Sequence, residues 1–167
     1  MSQSQIHTIK EIALKISLEN DRRNRLSHTL NELMDERQEV LVVLCELAKL
    51  KADDEPVEKI LFRLKRFCQM LVDYTALGHF EIYQRILDGN ERRASINALA
   101  SEIYPVISRT TDCFVEFNDK YDGADDEESI IPLAEDLSHL GEEMTARIEQ
   151  EDRLLIEMSN QVLLRKN

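Results

Sequence analysis

Hydrophobic residues recur every three or four positions along most of the chain, which is the spacing of one face of an α-helix. Four stretches carry this pattern, and short polar segments separate them. No stretch alternates hydrophobic and polar residues, so no β-sheet is expected. Four long amphipathic helices with short connections predict an all-α protein, an antiparallel up-down four-helix bundle with long helices.

The predicted first helix spans about 6–51 and ends in the segment KADDEP. In that segment Asp54 suits an N-cap, and Pro56 suits the first turn of the second helix.

We expect one domain over 1–167, since this length fits a single hydrophobic core. Residues 1–25 are expected to be a mobile segment or an additional N-terminal helical extension.

The second helix contains Gly78, yet its hydrophobic stripe keeps the same phase on both sides of this glycine. A turn at Gly78 would reset the phase, so the pattern predicts one unbroken helix over 57–88 that ends at Gly89. The stripe consists of Val57, Ile60, Leu61, Leu64, Cys68, Leu71, Thr75, Ile82 and Ile86.

The third stretch contains Pro105, which is expected to bend or split the helix because proline cannot donate the backbone hydrogen bond. An acidic loop, DKYDGADDEES, follows it. Ser129 or Glu128 is expected to open the last helix.

The net charge of the 167 residues is -12, which disfavours direct binding to nucleic acid and favours a basic partner. The alternative is that the charge only keeps the protein soluble.

The three cysteines are widely spaced among hydrophobic neighbours, so we expect buried free thiols. The first residues lack the hydrophobic core of a signal peptide, and no hydrophobic run is long enough to span a membrane. We therefore expect a cytoplasmic protein.

Two segments of the second and fourth helices, HFEIYQRIL at 79–87 and RIEQEDRLL at 147–155, resemble each other. Their alignment places His79 opposite Arg147 and Tyr83 opposite Glu151. Hemerythrin-type bundles bind metals through histidine and carboxylate pairs at such positions, so a metal- or ligand-sensing bundle is the alternative function. Tyr83 and Arg147 occupy places where that pattern needs ligands, and arginine repels a cation, so we predict no metal and no cofactor.

The same residues also predict a buried polar cluster. Arg147 and Glu151 are four residues apart and can pair on one face of a helix, and His79 and Tyr83 have the same spacing. We expect these four side chains to form one hydrogen-bonded cluster that fixes which helices face each other. Gly78 would then allow a neighbouring helix or a large side chain to approach closely.

The segment RFCQMLVDYTALGHFEIYQRIL at 66–87 resembles the signature of the Rsd/AlgQ family, the regulators of sigma factor D. ARIEQEDRLL at 146–155 resembles the family's matching C-terminal segment, and ERQEVL at 36–41 is a weaker match. These segments cover about a quarter of the chain. In the first helix, Glu32 and Leu33 stand near the place of the family's usual Arg-Trp pair.

The resemblance implies a non-enzymatic anti-sigma factor of stationary phase. Such a protein binds the C-terminal promoter-reading region of the primary sigma factor, a basic helix-turn-helix module, and sequesters it from RNA polymerase and the promoter. It implies Asp73, Tyr74 and Phe80 as partner-binding residues, and all three are expected off the buried stripe of the second helix. Asp73 could instead be solvated or pair with Arg66 or Arg85, and Phe80 could pack on the first helix. The oligomeric state, monomer or dimer, stays open.

Overall fold

A computed structural model describes residues 3–50, 55–87 and 93–163 of the chain. Every regular element among these residues is helical, which confirms the all-α prediction. The elements in chain order are α1 (Gln3–Lys49), α2 (Val57–Ala76), a π-helical segment (Leu77–Tyr83), α3 (Gln84–Leu87), α4 (Ala94–Tyr121), a 3-10 turn (Glu128–Ile130) and α5 (Leu133–Leu163).

The four long helices pack into a bundle in which α1 contacts α2 and α5, and α4 contacts α2 and α5. Among the described residues, three ion pairs join α4 to α5. Their residue numbers rise along α4 while they fall along α5, as expected for antiparallel neighbours. The pairs are Glu102 with Arg153, Arg109 with Glu143, and Lys120 with Asp136. The helical bundle is thus confirmed, and the up-down order of the whole bundle stays a prediction.

The chain runs through Gly78 without turning back, as the phase of the stripe predicted. The backbone is helical without a break from Val57 to Leu87. Over Leu77–Tyr83 the helix widens to a π-helix, in which the amide of Gln84 donates to the carbonyl of His79, five residues earlier. The predicted cap Asp54 and the predicted end at Gly89 lie outside the described residues.

Pro105 does not split α4, which continues from Ala94 to Tyr121. Both Pro105 and Ser101, whose carbonyl loses its helical partner, are exposed, so water can satisfy that carbonyl. The last helix begins at Leu133, later than Ser129 or Glu128, which lie in the 3-10 turn. Pro132 explains the difference, because it has no amide to extend the helix across this position.

The hydrophobic core runs along the bundle, with Phe67 and Phe117 in edge-to-face contact. The prediction of three buried thiols is wrong for Cys45, which is exposed, whereas Cys68 is buried and Cys113 is half-buried. Burial raises the pKa of Cys68 to about 11. Within the described residues, no helix combines the length and hydrophobicity that a membrane-spanning segment requires.

Candidate functional site

Two opposite charges are fully buried in the bundle. Arg147 and Glu151 lie four residues apart on α5, and their side chains are 0% and 1% exposed. Arg147 Nε donates to Glu151 Oε1 at 2.9 Å. A charge removed from water is costly unless it is paired and hydrogen-bonded, so the surrounding contacts decide whether this arrangement is stable.

A second nitrogen of the Arg147 guanidinium points toward α4. This Nη1 atom lies 2.9 Å from Thr111 Oγ1, 3.2 Å from Thr110 Oγ1 and 3.3 Å from the carbonyl of Ile107. The guanidinium also lies 5.4 Å from the ring centre of Tyr74, 5.5 Å from that of Phe114 and 6.0 Å from that of Tyr83. Such distances allow cation–π attraction, which is strongest in a desolvated site.

The carboxylate of Glu151 is reached from two more helices. Tyr74 on α2 donates its hydroxyl to Glu151 Oε2 at 2.6 Å. Arg37 on α1 lies 3.6 Å from the same oxygen and donates to Asp152 at 2.8 Å. This polar cluster therefore joins side chains of α1, α2, α4 and α5, and that it fixes their relative positions stays a prediction.

Burial, followed by the nearby Glu151 carboxylate, raises the pKa of Tyr74 and of Tyr83 well above the ordinary tyrosine value. Burial alone would lower the pKa of Arg147, but the Glu151 carboxylate, its hydrogen bond to Arg147 and the two tyrosines, Tyr74 and Tyr83, together outweigh burial and raise the pKa. Both tyrosines thus remain neutral donors and Arg147 remains charged at neutral pH.

Gly78 faces this cluster. A Cβ atom at this position would lie 3.3 Å from Arg147 Nη2, 3.5 Å from Leu33 Cδ1 and 3.6 Å from Tyr83 Cε2. A methyl group there would press on a guanidinium that four hydrogen bonds hold in place. The absence of a side chain at Gly78 is what allows α1 and α5 to approach the π-helical segment at this level.

Three of the four residues predicted for the cluster, Tyr83, Arg147 and Glu151, come together in the structure. His79 is placed elsewhere: it is half-buried, and its ring is in edge-on contact with Phe80, with ring centres 5.0 Å apart. Sequence reasoning missed Tyr74, Arg37 and the two threonines as members. The spacing of Tyr74 was a usable signal, because it follows Phe67 by seven residues and Leu71 by three, and both are buried.

The prediction that Tyr74 lies off the buried stripe is wrong. Its side chain is 0% exposed, since the buried face of α2 is wide enough to include Phe67, Leu71, Tyr74 and Thr75. In the free chain Tyr74 belongs to the polar cluster, where it donates to Glu151, and its role in partner binding stays a prediction.

Asp73 is exposed where the adjacent Tyr74 is buried, and it lines a groove of about 590 Å³ between α1 and the end of α2. Five carboxylates line this acidic groove, and its lining residues include no lysine or arginine. The lining consists of Glu32, Asp35, Glu36, Asp73, Ala76, Leu77, Phe80 and Glu81.

Phe80 is the exposed aromatic residue of the acidic groove, with 64% of its surface accessible, and it does not pack away into the core. Asp73 is exposed as predicted, and one of its oxygens accepts a hydrogen bond from Gln69 at 2.9 Å. Partial burial, followed by repulsion from neighbours that include Glu39, Asp73 and Glu32, raises the pKa of Glu36. Neighbouring carboxylates therefore repel the Glu36 carboxylate in the free protein, and a positively charged side chain beside it would relieve that repulsion.

Neighbouring residues connect the acidic groove to the polar cluster. On α1, Glu36 lines the groove while Arg37 reaches Glu151 and Asp152; on α2, Asp73 lines the groove while Tyr74 reaches Glu151. The packed cluster thus holds the backbone from which the groove residues project. Among the described residues, no group of three or more histidine, cysteine, aspartate or glutamate side chains could hold a metal ion.

Residues 14–159 match a protein family described as regulators of the RNA polymerase sigma(70) subunit, Rsd/AlgQ. The chain belongs to the Rsd/AlgQ family. This assignment confirms the resemblance seen in the sequence. The match spans every residue of the polar cluster and of the acidic groove, and the family description names a regulator rather than an enzyme.

Relatives named Regulator of sigma D cover most of the chain. One from Yersinia pseudotuberculosis serotype O:1b is 35% identical over 132 residues, which cover 75% of this chain and 78% of the relative. One from Shigella dysenteriae serotype 1 is 33% identical over 132 residues, with 75% and 83% covered. No solved structure matches the chain.

Proposed function

We propose that this protein is an anti-sigma factor that binds the C-terminal promoter-reading region of the primary sigma factor. Binding there would sequester the sigma factor from RNA polymerase and from promoter DNA. The family assignment supports a regulator of sigma-70. The acidic groove around the exposed Phe80 is the observation that supports binding to the C-terminal promoter-reading region.

The chemistry of the groove suits a DNA-reading module. A helix-turn-helix surface that contacts phosphates carries lysine and arginine, and these side chains complement five clustered carboxylates. A protein that covers those basic side chains competes with DNA for the same surface. Phe80 would supply the hydrophobic contact at the centre of the interface, where aromatic residues commonly dominate binding energy.

Titration calorimetry of the full chain against the full-length sigma-70 subunit and against its isolated C-terminal region tests the binding. We expect both to bind, and binding to weaken as salt is raised. Asp73→Ala should cost at least about 1 kcal/mol if Asp73 accepts a hydrogen bond from a partner arginine. Asp119→Ala is the matched control, since Asp119 is an exposed aspartate on α4 outside the groove.

Sequestration is tested separately by adding the protein to sigma-70 before core polymerase and measuring holoenzyme formation. We expect less holoenzyme with the wild-type chain and a smaller loss with Asp73→Ala. If the wild-type chain fails to bind full-length sigma-70 or its isolated C-terminal region, the proposed function is overturned. Unaltered binding by Asp73→Ala would remove Asp73 from the interface.

A further inference from the structure

We infer that the partner surface extends across α2 onto α4, where an apolar cleft receives one or two aliphatic side chains of a basic amphipathic helix. This inference rests on the proposed function and names the kind of element that the sigma factor would present. The apolar cleft lies between α2 and α4 and is lined by Leu71, Val72, Thr75, Ala76, His79, Phe80, Thr111, Phe114 and Val115.

The cleft is built for hydrophobic contact. Both of its hydroxyl groups already have backbone acceptors: Thr75 donates to the carbonyl of Leu71 at 2.7 Å, and Thr111 donates to the carbonyl of Ile107 at 2.8 Å. Thr111 also accepts a hydrogen bond from Arg147. An aliphatic side chain can therefore enter without leaving these hydroxyls unsatisfied.

The volume of the cleft, about 260 Å³, lies below the roughly 300–1,000 Å³ of sites that enclose small molecules. Side chains of a docked protein segment suit it better than a free ligand does. Val72, Phe80 and Val115 at its rim remain 40%, 64% and 47% exposed, which makes one hydrophobic patch across two helices.

The cleft is continuous with the acidic groove, because Ala76 and Phe80 line both. Carboxylates thus lie on one side of Phe80 and apolar surface on the other. A helix that crosses α2 at Phe80 meets both surfaces if it carries lysine or arginine and, three or four residues away, leucine, isoleucine or valine. Charge complementarity and this continuity select a basic amphipathic helix as the occupant.

The two surfaces should act on different rate constants. Charges that attract a partner over a distance raise the association rate and make it depend on salt. Apolar contacts form only after docking, so they determine how long the complex lasts. The groove and the cleft can therefore be separated kinetically.

Surface plasmon resonance with the full chain and the full-length sigma-70 subunit, at low and high salt, measures both rates. Val115→Ser should raise the dissociation rate about fivefold or more and leave the salt dependence of association unchanged. Asp73→Asn should slow association and reduce its salt dependence. Val42→Ser is the matched control, because Val42 is 46% exposed on α1 and lines neither surface.

The outcomes separate the two proposals. If wild-type protein binds but Val115→Ser dissociates at the wild-type rate, while its thermal unfolding matches that of Val42→Ser, the cleft is not part of the interface and this inference fails alone. If wild-type protein does not bind sigma-70, the proposed function fails and takes this inference with it. A wild-type dimer that Val115→Ser converts to monomer in sedimentation would assign the cleft to a second copy and would also overturn it.

Discussion

The polar cluster and the acidic groove share the same stretches of α1 and α2, yet charges are paired in the cluster and left unbalanced in the groove. In the cluster, Arg147 and Glu151 are fully buried, and each has opposite charge or hydrogen-bond partners around it. In the groove, five carboxylates gather at the surface with no cation among the lining residues. Burial accounts for the difference, because a charge without water must be compensated inside the protein.

The comparison shows which residues stabilise the bundle and which are available to a partner. Solvent weakens repulsion between exposed carboxylates, so the groove can keep an unbalanced charge at a small cost in stability. The cluster is buried, so an unbalanced charge there would cost much more stability. Substitutions in the cluster should therefore change folding more than binding, and substitutions in the groove should do the reverse.

The largest expected effect is that of Arg147→Ala, which leaves the Glu151 carboxylate buried beside Tyr74 without its principal cation. The free energy of unfolding should fall by about 3–5 kcal/mol, measured by urea denaturation. Arg109→Ala is the control, since Arg109 pairs with Glu143 at the surface and should lose no more than about 1 kcal/mol. Equal losses in the two variants would show that the cluster is no more than a surface-type ion pair.

Alkaline pH should destabilise the protein next most strongly, because Tyr74 and Tyr83 have raised pKa values in the folded state. In the unfolded chain a tyrosine ionises near its ordinary pKa of about 10. Below that pH the protein keeps its full free energy of unfolding, and this free energy falls as pH rises from about 10 toward the pKa of the folded state. At pH 11 each tyrosine should account for roughly 1.4 kcal/mol.

Urea midpoints at pH 8.5 and pH 11 measure this loss. Tyr83→Phe removes one ionisable group, so its midpoint should fall less between the two pH values than that of the wild type. An undiminished fall in Tyr83→Phe would attribute the alkaline loss to other groups.

A smaller effect is expected at Gly78. Gly78→Ala should lower stability by about 1 kcal/mol, because overpacking against Arg147 and Leu33 exceeds the gain in helix propensity. Gly141→Ala in α5 is the matched control: nothing lies within 4 Å of its new methyl group, so stability should rise by up to about 1 kcal/mol. Thermal unfolding of both variants checks the opposite signs, and a stabilising Gly78→Ala would show that the cluster can shift to admit a methyl group.

The smallest effect, and one of opposite sign, is expected in the groove. The raised pKa of Glu36 means that its charge opposes folding at neutral pH, so Glu36→Gln should stabilise the protein by about 0.2–0.5 kcal/mol. Because this cost is absent below the unfolded pKa and appears as pH rises through the folded pKa, the gain should vanish near pH 4. The same variant should bind sigma-70 more weakly. If Glu36→Gln instead lowers the free energy of unfolding, the charge of Glu36 stabilises the fold and the groove does not differ from the cluster in this respect.

The sequence by itself determined what depends on residues close together in the chain. Helical spacing gave the long helices and the unbroken path through Gly78, and the spacing of four placed Arg147 beside Glu151. The residues around 66–87 also indicated the Rsd/AlgQ family, which the family match over residues 14–159 confirms. These predictions agree with the structure because residues three or four apart are neighbours in any α-helix, independent of how the helices pack.

Tertiary structure decided which side chains meet across helices. Tyr74 reaches Glu151 over 77 positions of sequence, and Thr111 reaches Arg147 over 36, although no local pattern couples them. It also decided that Tyr74 is buried while Asp73 is exposed, because the buried arc of α2 is set by its packed neighbours rather than by one stripe. Periodicity fixes the direction in which a side chain leaves its own helix, but only the relative register of the packed helices determines which group it meets.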